Sequence, residues 1–256
     1  MAREKRKVVE ITIVSPRSGQ VFKLGTAPVE TDPIVLQARI TEDDLDISQK
    51  VEVSWKLKLS WHATYNTYQT KFEITGIPTS TNLQSCGILR IRASVNVDGR
   101  EYSTRTRVNI IGMNPSKEQL IKALDSDLLR AQAFVESTWK QFDMNGQPLL
   151  NPDSSMRGLM QISERWWGEK SPLSLKDFNR IAWQWDYNIK TAKLILDHYY
   201  KQAKNIFPRE NEKRLWDRAL KAYRTGPNFK YKTDPSKHPY VKKIREYMRS
   251  KPWERF

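Results

Sequence analysis

The sequence has one cysteine, Cys86, and three histidines, His62, His198 and His238, in 256 residues. A lone thiol cannot close an internal disulfide, and the imidazoles are too scattered for zinc-ligand spacing, so neither a metal nor any other cofactor is expected. Glycine (10) and proline (13) are sparse, which excludes collagen-like and low-complexity chains. Apolar runs are short, Ile34-Val35-Leu36 being typical, whereas a membrane-spanning helix needs ~18 or more apolar residues in succession. The basic start, Met1-Ala2-Arg3-Glu4-Lys5-Arg6-Lys7, is not followed by the apolar stretch and cleavage site of an export signal. Acidic side chains are also short in number, 29 against 44 Lys and Arg, for a net charge of +15.

That charge is uneven. Residues 201–256 carry 17 basic and 6 acidic side chains, residues 114–200 carry 11 of each, and residues 1–113 carry 16 and 12. A cationic C-terminal segment concentrates polyanions within a Debye length, ~8 Å at physiological salt, so nucleic acid, an anionic membrane surface and a wall polymer are all compatible with it. A solvated face that merely keeps the chain soluble fits equally well.

From Val8 to Ile111 the chain alternates apolar and polar residues, as in Val9-Glu10-Ile11-Thr12-Ile13, Val51 to Leu57 and Leu89 to Ala93. A period of two predicts half-buried strands. Asp98-Gly99 between two such runs predicts a tight hairpin. Six or seven strands in about a hundred residues point to an all-β antiparallel sandwich of immunoglobulin-like type over residues 1–112, with Trp55 between its sheets. After Gly112-Met113-Asn114-Pro115 the pattern changes. Ser116-Lys117-Glu118-Gln119 has the form of a helix capping box, and helical spacing follows over Leu128–Glu136, Tyr187–Tyr200, Trp216–Tyr223 and Pro239–Met248. Residues 113–256 therefore form a second, mostly α domain that ends in the basic segment.

Three places in that domain suggest chemistry. Glu136 sits near the end of an apolar helical stretch, where desolvation raises a carboxyl's pKa toward the range of a general acid. Gly158 in Arg157-Gly158-Leu159-Met160-Gln161-Ile162 permits close backbone approach, and Gln161 offers a donor and an acceptor for a sugar. A helix over Ala219-Leu220-Lys221-Ala222-Tyr223 stops at Gly226-Pro227. Each has a bland alternative: an exposed Glu, a loop with Leu159 and Met160 in the core, an ordinary helix end.

In combination, Glu136-Ser137, Gly158-Leu159-Met160-Gln161 and Ala222-Tyr223-x-x-Gly226-Pro227 resemble the catalytic domain of soluble lytic transglycosylases (Slt-type), relatives of goose-type lysozyme. Asn188-Ile189 and Tyr240-Val241 resemble lesser elements of that family. The resemblance spans about residues 116–249. Arg224 stands where the family usually has Asn, Ser163-Glu164 stand where it has Met-Pro, and the Glu136–Gly158 spacing is a few residues longer. The resemblance implies a lysozyme-like fold that cuts the β-1,4 bond between N-acetylmuramic acid and N-acetylglucosamine in peptidoglycan, leaving 1,6-anhydro ends. Glu136 would be acid and then base, with Ser137 orienting it. Met160 and Gln161 would line the sugar site beside Gly158 and Leu159, Tyr223 would bond near the reacting centre, and Asn188 and Tyr240 would contribute to the substrate site.

Other readings stay open. A hydrolytic muramidase needs a second acid to place water, for which Asp143 and Asp153 are the candidates. A non-catalytic wall-binding module would keep the fold without the chemistry. Nucleic-acid binding has no motif to accompany the charge. Of the nine tryptophans, seven fall in the second domain and are expected mostly in its core, one of Trp166 and Trp167 excepted. With no export signal, a wall enzyme would be delivered as part of a phage virion or tail, through a holin-like hole at lysis, or as an antibacterial effector of a secretion machine, with the β domain docking to phage-tail or secretion-machine proteins, binding glycan or serving as a spacer.

Overall fold

The computed structural model describes residues 7–151, 155–164, 178–227 and 233–255. The chain divides into two compact units: Met1–Met113 with Asn145–Gln147, and Asn114–Met144 with Pro148–Phe256. The first is β-rich and the second mostly helical.

In the first unit, β1 (Val9–Ser15), β3 (Ile34–Glu42), β4 (Leu45–Asp46) and β7 (Thr79–Thr81) form one sheet. A second sheet has the order β2 (Val21–Leu24), β9 (Arg100–Gly112), β8 (Gly87–Val97), β5 (Ser54–His62) and β6 (Thr67–Thr75). Alternation sends one face of each sheet inward. Ile34, Leu36, Ala38 and Ile40 of β3 are buried, as are Trp55, Leu57 and Leu59 of β5 and Leu89, Ile91, Ala93 and Val95 of β8. Each large side chain so buried contributes about 1.5–3 kcal/mol. Trp55 is fully buried, and its indole Nε1 donates to the Gly76 carbonyl at 2.9 Å. Asp98 and Gly99 both take positive φ, 50° and 76°, which closes the β8–β9 hairpin in two residues.

One pairing departs from the antiparallel expectation, since β2 lies parallel to β9. The chain leaves β1 in one sheet, turns through Ser15–Gln20 and joins the edge of the other sheet, where Gly19 N donates to Arg107 O and Asn109 N to Gln20 O. A strand that changes sheets in this way arrives without a hairpin, so nothing forces it to run antiparallel.

The second unit begins with α1 (Lys117–Ala123), and both capping-box bonds are made: Gln119 N to Ser116 Oγ at 3.3 Å and Ser116 N to Gln119 Oε1 at 2.7 Å. It continues through α2 (Asp127–Ser137), the hairpin of β10 (Met156–Arg157) and β11 (Ile162–Ser163), α3 (Phe178–Trp183), α4 (Trp185–Ile206), α5 (Glu212–Thr225) and α6 (Pro239–Ser250). The long α4 buries Asn188, Ile189, Ala192, Ile195, Leu196, Tyr199 and Ala203 along one stripe, the spacing of a helix that packs on one side. Trp139, Trp183, Trp185 and Trp253 are buried, while Trp216 is half-buried and stacks on Tyr200 at 4.3 Å. Trp166 and Trp167 lie outside the described residues.

Candidate active site

Three helices bring the site together. Helix α2 starts at Ser126, whose hydroxyl accepts from Leu129 N, and stops where Thr138 turns left-handed at φ 50°. Glu136 is in its last turn, and the side chain is only 5% exposed. Helix α6 packs against α2. Its Tyr240, in the first turn, donates its hydroxyl to Glu136 Oε1 at 2.5 Å. Arg224, in the last turn of α5, sets a guanidinium nitrogen 3.7 Å from Glu136 Oε2 and is itself 40% exposed. Helices α5 and α6 are tied by Arg245, whose Nε and Nη2 both bond Asp217 Oδ1, at 2.8 and 2.7 Å, with Asp217 nearly buried. Removing one partner of such a pair strands a buried charge, so the link fixes Tyr240 and Arg224 relative to each other.

Burial pushes the Glu136 carboxyl up from its ordinary 4.5 to about 7; the Tyr240 hydrogen bond and then the Arg224 charge pull the other way without prevailing. The group therefore exists in both protonation states near neutrality, as a group must that first gives and later takes a proton. Tyr240 and Tyr223 are held well above the usual phenol range, first by burial and then by the Glu136 charge, and burial lifts Tyr199 to about 12. These phenols stay neutral and can only donate or accept hydrogen bonds. Among the described residues, the hydrogen-bond and ion-pair partners of Glu136 are Tyr240 and Arg224, neither of them a carboxylate. Asp143 is not among those partners, and Asp153 lies outside the described residues.

The segment Gly158-Leu159-Met160-Gln161 is held from behind. Leu159 N donates to Gln141 Oε1 and Met160 N to Asn188 Oδ1, both at 2.8 Å. The Gln141 amide donates to Ala182 O at 2.7 Å, and the Asn188 amide to Ile181 O at 3.0 Å and Arg157 O at 3.3 Å. Gly158 has φ +76°, and a Cβ there would come within 2.5 Å of Gln141 Nε2 and 2.7 Å of Asn188 Nδ2. Tyr223 Oη donates to Met160 O at 2.7 Å, which connects this segment to α5.

The other expected residues are placed as follows. Ser137 does not bond Glu136: its hydroxyl donates to Ala133 O at 3.2 Å and accepts from Lys140 N at 3.1 Å, because a serine ending a helix is closest to that helix's own unpaired groups. Leu159 and Met160 are fully buried and offer their backbone instead of a sugar-facing side chain. Asn188, also fully buried, spends its amide on backbone groups, so it supports the segment from inside. Gln161 is 4% exposed at φ 49° with its amide donating to Gly158 O at 2.7 Å, while its Oε1 is buried with no hydrogen-bond partner among the described residues. Sequence reasoning missed Gln132, fully buried and beside the Tyr240 hydroxyl, and Gln141. Gln132 precedes Glu136 by four residues and thus shares its helix face, a signal present in the sequence; Gln141, in a loop, gave none.

A family model, the transglycosylase SLT domain, matches residues 113–245, more than half of the chain. The chain belongs to that family. Comparison with curated proteins and with solved structures finds no match. All the residues that surround Glu136 lie inside the SLT match, as does the whole Gly158–Gln161 segment. Membership in the SLT family places the second unit among lysozyme-like enzymes that cleave glycosidic bonds of peptidoglycan. No helix among the described residues is long and apolar enough to cross a membrane.

Proposed function

We propose that the chain is a lytic transglycosylase with Glu136 as its single acid and base. The observation that carries this reading is a nearly buried carboxyl lifted to about 7, fixed on one oxygen by a neutral phenol, with no second carboxylate against it among the described residues. Tyr240 occupies Oε1, which leaves Oε2 as the oxygen that carries the mobile proton. Glu136 donates that proton to the glycosidic oxygen as the bond to the muramic anomeric carbon breaks. The same sugar's C6 hydroxyl then bonds that carbon, and its proton returns to Glu136. No water is consumed, and the tethered hydroxyl replaces a bound nucleophile. A hydrolase would place a second acid at ~6.5–9.5 Å to hold water, or a nucleophile at ~5 Å, and the chemistry of the released ends separates that outcome from this one. Gln161, whose buried Oε1 has no hydrogen-bond partner among the described residues, is the residue of the Gly158–Gln161 segment assigned to sugar recognition.

Mass analysis of muropeptides released by the purified protein tests the reading. Anhydro ends are expected, and products heavier by one water would replace it with a muramidase. Wall clearance by Glu136→Gln equal to wild type would mean that catalysis does not rest on this carboxyl, and no clearance by the wild-type protein would leave only a binding module. The immunoglobulin-like character of the β unit, and its service as a docking piece in a phage tail or a secretion machine, belong to the same proposal. Their support is the covalent coupling of a β-rich unit to a wall-cutting one, and probing purified particles for the chain tests them.

A further inference from the structure

The outward face of the five-stranded sheet carries a charge arrangement that folding alone does not favour. Strand register places Lys71 opposite Lys58, Lys58 opposite Arg90, and Arg90 opposite Arg107, so that one row across four strands is wholly cationic. Two residues along each strand runs a second row, Glu73, Lys56, Arg92 and Arg105. Like charges directly opposite one another destabilise a sheet. Acidic neighbours relieve only part of this: Glu73 pairs with Lys56 at 3.3 Å and Glu101 with Arg92 at 2.9 Å. Among the described residues Lys58, Lys71, Arg105 and Arg107 form no ion pair, and Arg90 donates to the Ser60 hydroxyl at 2.9 Å. The splayed side chains bound a channel of about 750 Å³ over the strand backbones, with Ser18 also among its lining residues.

We propose that this channel binds a linear phosphodiester polyanion, an anionic polyol-phosphate polymer of the bacterial wall. Charge complementarity is the first ground. Strands ~4.8 Å apart make the cationic row roughly 14 Å long, and the second row lies ~6.8 Å away, a spacing that meets successive phosphates of an extended chain. The flanking outward positions supply the second ground. They are Gln69, Ser60, Ile88 and Asn109 on one side and Thr75, Ser54, Ser94 and Ser103 on the other. None is aromatic. Phe72, which also lines the channel with Leu57 and Ile91, is in register with the buried Leu57 on the inward-facing row. Nucleobases therefore find no stacking platform on the outward face, and a protein partner finds there no aromatic or large apolar anchor beyond Ile88. A hydrophilic chain with charge and no bases is the remaining fit. The choice of a wall polymer rests on the proposed function, since a wall-cutting enzyme meets such a polymer beside its substrate, and a second binding unit on the same chain raises the local concentration of the first.

The test uses the full chain and a short poly(glycerol phosphate), with affinity measured by calorimetry over a range of salt concentrations. Lys58→Gln/Arg90→Gln is compared with Arg39→Gln/Lys50→Gln, which removes equal charge outside the channel. The first variant is expected to bind at least ~10-fold more weakly at low salt, with the log–log salt slope shallower by about 1.4, at ~0.7 per charge contact. The second is expected to stay near wild type. Melting temperature of the channel variant should be equal or higher, because a like-charge pair has been removed; a wild-type-like melt shows that lost binding is not lost folding. Equal weakening by both variants would overturn the proposal, as would equal or tighter binding of a single-stranded oligonucleotide or of polyglutamate of the same charge. Release of anhydro ends from polymer-stripped peptidoglycan is measured alongside. Release without polymer binding refutes the channel alone, and polymer binding without release refutes the enzymatic reading instead.

Discussion

Replacing Glu136 with Gln should make the protein more stable and nearly inactive, with the stability gain set by pH. In the native state the carboxyl titrates at about 7, against an ordinary 4.5 in the unfolded chain. Between those values the native state holds the proton more tightly than the unfolded one. Stability is therefore greatest below 4.5, falls as pH rises through the window, and carries the full penalty above 7. At 1.36 kcal/mol per pH unit the penalty is about 3 kcal/mol. With the side chain only 5% exposed, solvent screening removes little of it. Gln has no proton to lose and keeps an amide oxygen for the Tyr240 hydroxyl.

Thermal unfolding of wild type and Glu136→Gln from pH 4 to pH 8 reads this directly in the transition of the helical unit. Coincident melts are expected near pH 4 and a rise for the variant on the order of 5–10 °C at pH 8. Wall clearance should fall by at least ~10²-fold at every pH. If the variant melts with wild type at pH 8, or below it, the carboxyl is not held in an apolar setting, and the assignment of a desolvated acid fails whatever the activity shows.

Tyr240→Phe removes the hydrogen bond that pulls the Glu136 pKa down, so the alkaline limb of the pH–rate profile should move upward while the maximal rate drops; an unmoved limb would contradict the contact. Arg224→Asn, which installs the residue usual in the family, removes an attractive charge and should shift the same limb upward by less, because Arg224 is half-exposed and screened. Gly158→Ala forces a Cβ to within 2.5–2.7 Å of the Gln141 and Asn188 amides at φ +76°. It should cost the helical unit roughly 2–4 kcal/mol, seen as a lowered denaturation midpoint, and a neutral result would mean the two amides are not fixed supports.

What could be read without coordinates follows from how local each signal is. Alternation along Leu89–Ala93, the Asp98-Gly99 turn and the capping box at Ser116 are fixed by neighbours within a few residues, and the strands, hairpin and helix start appear where those signals stand. Glu136 could be singled out for a similar reason, since its apolar company is adjacent in sequence. Its most direct partner is not: Tyr240 lies 104 residues away and reaches it only because α6 packs on α2. The amides of Gln141 and Asn188 have the same difficulty, because which carbonyls they serve depends on where the Gly158 segment passes. The cationic rows show the opposite failure. Lys56-x-Lys58, Arg90-x-Arg92 and Arg105-x-Arg107 are plain in the sequence, yet counting charge over residues 1–113 averages them against acids placed elsewhere, such as Glu42, Asp43, Asp44 and Asp46. Charge summed over a segment locates the C-terminal excess but cannot detect a face, because in a sheet sidedness has period two and the neighbours that matter are on other strands. A count taken at alternate residues of each strand, before any pairing is known, would have singled out these three strands.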